Sequence, residues 1–128
     1  MNGGFAMQER FQARMLRIYF GEDDKWQGKP LHKAIVAKCV ELGIASAAVY
    51  RGIEGYGGST RIHHASHWTF SKDAPIMLTI IDTEEQIDRL IPHLDAMVEE
   101  GLVATSRVEV IRYSRAPEKG QETPSGKE

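Results

Sequence analysis

The chain has 128 residues, 41% hydrophobic and 27% charged, with a net charge of −2. That is one domain with a modest core, and the near-neutral balance excludes a global field drawing it to nucleic acid or anionic membrane. A single cysteine, Cys39, excludes an internal disulfide; no apolar run approaches the ~20 residues of a membrane span, and residues 1–14 carry no apolar signal core, so the expected location is the cytoplasm.

Residues 1–14 are polar and read as a flexible N-terminus. Met15 to Phe20 alternates, with Leu16, Ile18 and Phe20 on one side, and so predicts a strand with one face on a core. Gly21 to Lys29 reads as a charged loop. Pro30 suits the first turn of a helix, where its missing N–H costs nothing. Leu31, Ile35, Cys39 and Leu42 form an amphipathic stripe, and Gly43 is its left-handed cap. Cys39 falls on the apolar side and is expected to be a buried, inert thiol.

Ala45 to Ile53 is rich in small and β-branched residues and predicts a second strand. Four glycines (Gly52, Gly55, Gly57, Gly58) then open a polar stretch of roughly twenty residues, a length more often functional than not. Ile76 to Ile81 is nearly all apolar and reads as a central strand. Thr83 and Gln86 form a capping-box pair, followed by a helical stripe of Ile87, Leu90, Ile91, Leu94, Met97 and Val98. Pro92 inside that stripe predicts a lost hydrogen bond and a kink near Asp88. Leu102 to Tyr113 is the last strand, and residues 114–128 have the composition of a disordered tail.

The order β-α-β-β-α-β predicts an α+β, ferredoxin-like fold, a four-stranded antiparallel sheet with both helices on one face. The domain spans residues 15–113. The other sheet face, with Met15, Tyr19 and alternate residues of the third strand, is apolar enough to predict a homo-oligomer that covers it.

At Gly52, Gly55, Gly57 and Gly58 the backbone is free to approach a ligand or to form an anion nest, and a turn-shaping role explains the same glycines equally well. Arg51, Arg61 and Arg112 can pair with phosphate or carboxylate through the guanidinium fork, or with surface acids. Lys29 precedes a helix N-terminus, which favours anions. His63 and His67 lie four apart beside His64, so a helical turn there would offer two zinc or copper ligands; a solvated or partner-contacting loop fits the same residues. Trp68 and Phe70 are candidate anchors for a protein interface. The acidic run Glu22-Asp23-Asp24 has no nearby nucleophile, and the chain has no convincing Ser/His/Asp or Cys/His spacing, so an enzyme is not expected.

The runs Phe20-Gly-Glu-Asp-Asp-Lys-Trp-Gln-Gly-Lys-Pro-Leu, Tyr50-Arg-Gly-Ile-Glu-Gly-Tyr-Gly and Glu109-Val-Ile-Arg-Tyr resemble PII-like signalling proteins, in particular their branch of unknown function. The resemblance covers residues 15–113. It implies a homotrimer with sheets toward the threefold axis and a small-molecule site in each cleft between subunits. The ligand implied is a small anionic metabolite or an adenine nucleotide, met by Lys29, Arg51, Gly52, Gly55, Tyr56, Gly57, Gly58, Arg61 and Arg112. It also implies a long loop, with His63, His64, His67, Trp68 and Phe70, that docks on a membrane transporter or an enzyme. No nucleic-acid partner is expected, because Tyr19 alone on the open sheet face at net charge −2 does not make an RNA surface, and no metal site is expected. The chain departs from the nitrogen-regulatory type where Gly58-Ser59 follows Gly57 and where Gly101-Leu102-Val103 replaces a phosphate-binding turn. The alternative expectation is a metal-responsive trimer resembling CutA, with the loop histidines as ligands.

Overall fold

The computed structural model describes residues 6–55 and 74–115. In chain order these form β1 (Ala6–Gly21), β2 (Lys25–Trp26), β3 (Lys29–Pro30), α1 (Leu31–Leu42), β4 (Ser46–Arg51), β5 (Pro75–Asp82), α2 (Glu84–Met97) and β6 (Leu102–Arg115). The four long strands make an antiparallel sheet in the order β4-β5-β1-β6, the ferredoxin-like arrangement expected from sequence. Two units are described separately: Ala13–Val108, and the flanking described residues 6–12 with 109–115.

In the larger unit, alternation sorts the sheet into two faces. Leu16, Ile18 and Phe20 of β1 and Ile76, Leu78 and Ile80 of β5 are buried against Leu31, Ile35 and Cys39 of α1 and Ile87, Leu90, Leu94 and Met97 of α2. Each of the Leu, Ile, Phe and Met side chains among them contributes about 1.5–3 kcal/mol by leaving water. The register pairs Tyr50 with Met77 and Met77 with Tyr19, so these three cross the opposite face in one row. Met15, Met77, Thr79 and Ile81 on that face are half-buried, while Tyr19 and Tyr50 are exposed.

α1 ends as expected, with Gly43 at φ 75° and its N–H on the Val40 carbonyl. Its C-terminal carbonyls are then claimed from α2: Gln86 Nε2 donates to Leu42 O and Gly43 O, each at 3.3 Å, and Arg89 Nη1 donates to Leu42 O at 3.3 Å. The predicted capping box is therefore half formed. Thr83 Oγ1 accepts from Gln86 N at 3.2 Å, but the Gln86 side chain joins the two helices instead of returning to Thr83. Thr83 N donates to Asp82 Oδ1 at 2.7 Å, and Asp82 Oδ2 accepts from Ala45 N at 2.8 Å. α2 runs unbroken through Pro92, and both Pro92 and Asp88, whose carbonyl Pro92 has no N–H to reach, are on its exposed side.

Two boundaries differ from those expected. β1 begins at Ala6, so described residues of the expected flexible N-terminus are strand, and β6 runs on to Arg115. These extensions form the smaller unit. Within it Arg10 Nη1 lies 4.0 Å from Glu109 Oε2 and Arg112 Nη2 2.8 Å from Glu9 Oε1, and the Arg112 guanidinium sits 6.0 Å from the Phe11 ring centre. Residues 7–12 are exposed apart from the half-buried Phe11, so this part of β1 carries no core-facing alternation to read. The third difference is the β2–β3 hairpin inside the expected charged loop. Its turn puts both Gln27 (φ 51°) and Gly28 (φ 79°) at positive φ, as a two-residue type I′ turn requires.

Candidate functional site

The site lies where β1, β4 and β5 meet the start of α1. Past Gly21 the chain folds back on itself: Asp24 N donates to Gly21 O at 3.1 Å, and Asp24 Oδ2 accepts from Gly21 N at 3.3 Å. Leu31 N then donates to Asp24 O at 2.8 Å, which anchors the helix start to this turn. On the other side, Gly52 N donates to Pro75 O at 2.7 Å and Glu22 N to Ala74 O at 2.8 Å. These bonds bring Gly52, Ala74 and Glu22 to one place. Gly52 is required there, because a Cβ on it would stand 2.8 Å from Pro75 Cγ.

A cleft of about 450 Å³ opens at this junction, lined by Glu22, Asp23, Lys25, Pro30, His32 and Arg51. Across it, Arg51 Nε and Glu22 Oε1 pair at 3.0 Å; the Arg51 side chain remains 59% exposed. The N-terminus of α1 opens on the same cleft through Pro30 and His32. Pro30 supplies no side-chain cap, and no acidic residue stands in the first turn. Leu31 N is taken by Asp24 O, and what the start of α1 brings to the cleft is the positive end of the helix dipole, beside Lys25 and Arg51.

Of the residues singled out from sequence, Arg51 and Gly52 are placed at the cleft. Gly55 follows them as the last described residue of that stretch. Lys29 is exposed on β3, paired in register with Trp26, and does not line the cleft, although Pro30 beside it does. Arg112 is engaged by Glu9 and Phe11 within the smaller unit. Tyr56, Gly57, Gly58, Arg61, His63, His64, His67, Trp68 and Phe70 lie outside the described residues. Among the described residues no group of three His, Cys, Asp or Glu could hold a metal ion. Sequence reasoning missed Lys25 and His32. His32 could have been found from the helix start, being in its first turn, but Lys25 reaches the cleft only because the β2–β3 hairpin pairs it with Pro30.

Cys39, on the buried side of α1, is the inert thiol expected: burial raises its pKa from 9.0 to about 11. None of the helices among the described residues is long and apolar enough to cross a membrane.

Residues 13–110 match the model of a protein family known as DUF190, an uncharacterized ACR family. The chain is 34% identical over 100 residues to a UPF0166 protein of Aquifex aeolicus, covering 78% of this chain and 94% of that one. It is 35% identical over 83 residues to a UPF0166 protein of Methanocaldococcus jannaschii, covering 65% and 76%. Among solved structures, CPII, a nitrogen regulatory PII-like protein from Thiomonas intermedia K12 bound to ADP, AMP and bicarbonate, superposes with a TM-score of 0.55 at 15% identity, over 80% of this chain and 98% of that one. At that identity the likeness shows a shared PII-like fold.

Proposed function

The chain belongs to the DUF190 family and carries the PII-like fold, and from these we propose that it is a non-enzymatic regulatory protein that senses a small anion, most simply an adenine nucleotide. The carrying observation is the coincidence of Arg51, Lys25 and the start of α1, which has no acid in its first turn, around one cleft near Gly52 and Ala74. A cleft of about 450 Å³ is in the range of small-molecule sites. Arg51 and Lys25, with the positive end of the α1 dipole, would hold the phosphates. That CPII is bound to ADP and AMP supports this choice of ligand.

Regulation would start from the same place. Gly55, Tyr56, Gly57, Gly58 and Arg61 continue directly from Arg51 and Gly52, and so are the residues through which an occupied cleft would act on the segment carrying His63, His64, His67, Trp68 and Phe70. A ligand shifts such an equilibrium only by the difference in its contacts between two states, and contact with the root of a segment supplies that difference. The segment then presents or withdraws a surface for a partner, a transporter or an enzyme. The half-apolar sheet face of Met15, Tyr19, Tyr50, Met77 and Ile81 supports assembly into a homotrimer with that face inward. Native mass spectrometry with AMP, ADP, ATP and cyclic dinucleotides tests both parts. Three chains carrying up to three nucleotides is the expected species; a monomer that takes up none contradicts the reading.

A further inference from the structure

We propose that Glu22 is a specificity-determining residue of this cleft: a resident counter-ion that an incoming anion must displace from Arg51 and then face across the site. The inference rests on the assignment of Arg51 as the anion-binding group. Glu22 Oε1 sits 3.0 Å from Arg51 Nε, and the two side chains are 32% and 59% exposed. The pair is therefore solvated and easily exchanged; exposed pairs of this kind hold each other by no more than about fivefold. A phosphate binds a guanidinium through two parallel hydrogen bonds and carries more charge than a carboxylate, so it is the stronger partner.

The backbone limits where the displaced carboxylate can go. Glu22 N is bonded to Ala74 O at 2.8 Å, and the turn behind it is closed by the bonds between Gly21 and Asp24. The side chain can swing off Arg51, but its charge cannot leave the mouth of the cleft. A bound anion is therefore opposed twice, once in competition for Arg51 and once in repulsion from the released carboxylate. Repulsion grows with the charge of the ligand and falls with salt. Glu22 thus biases the cleft toward anions of low charge, and the bias rises from nucleoside mono- to di- to triphosphate.

Calorimetric titration of AMP, ADP and ATP into the full chain and its Glu22→Gln, Glu22→Asp and Arg51→Ala variants tests this at low and high salt. Glu22→Gln is expected to bind ADP about fivefold more tightly. The gain should be larger for ATP, smaller for AMP, and compressed by salt. Glu22→Asp keeps the charge and should stay within about twofold of the parent. A thermal unfolding midpoint for Glu22→Gln close to the parent's confirms that the fold is intact. If Arg51→Ala weakens binding while Glu22→Gln binds no more tightly than the parent, or tightens all three ligands equally, the competitor role is overturned and the assignment of Arg51 stands. If Arg51→Ala binds like the parent, or no chain binds any of the three, both are overturned.

Discussion

The two helices begin in opposite ways. α2 starts on a finished joint: Thr83 caps Gln86 N, Asp82 takes the Thr83 and Ala45 N–H groups, and Glu84 and Glu85 stand in the first turn. α1 starts with Pro30, has no side-chain cap and no acid in its first turn, and opens on a cleft with Lys25 and Arg51. Both N-termini present the same positive dipole end. α2 offsets it with its own Glu84 and Glu85. α1 has Leu31 N tied to Asp24 O but no first-turn acid, and that difference is the ground for placing the proposed site at α1.

Breaking the finished joint should cost the most stability. Asp82 is buried and accepts two backbone N–H bonds, so Asp82→Ala should lower unfolding stability by about 3 kcal/mol, read from denaturant midpoints. Thr83→Ala removes one exposed cap bond and should cost about 1 kcal/mol in the same measurement. If Thr83→Ala matched Asp82→Ala, the weight given to the buried carboxylate would be misplaced. The smallest effect sharpens the contrast from the other side. His32→Asp gives α1 the first-turn acid that α2 already has, and should raise stability by about 0.5 kcal/mol. The same change should weaken ADP binding, since the acid occupies the dipole and repels phosphate. Gains in both stability and affinity would show that the start of α1 is not the anion site.

The elements that could be read from sequence are those whose signal is local. Gly43 ends α1 at positive φ, and Thr83 caps α2, because each acts within one turn of its own helix. The alternation of Leu16, Ile18 and Phe20 named the buried face of β1 because a core lies on one side only. Beyond it, Phe11, Arg10 and Glu9 are held by residues near position 110, and no local pattern announces partners so far along the chain. The β2–β3 turn was hidden because Gln27 holds a conformation usually given to Asn, Asp or Gly. Gln86 misled for a related reason: its spacing from Thr83 fits a capping box, but the Leu42 and Gly43 carbonyls, brought close by the fold, are its acceptors. The site was legible at Arg51 and Gly52, which border the glycine-rich stretch directly. Glu22, Lys25 and His32 join it only because the Glu22–Ala74 and Leu31–Asp24 bonds fold the two loops together.

Calorimetric titration of ADP into the full chain and its Arg51→Ala variant bears most directly on the cleft beside α1 as the sensing site. Saturable binding that falls by about tenfold or more in Arg51→Ala, with unfolding stability changed by less than about 1 kcal/mol, is the predicted result. Equal affinity in the two proteins, or no heat in either at tens of micromolar ADP, would contradict it.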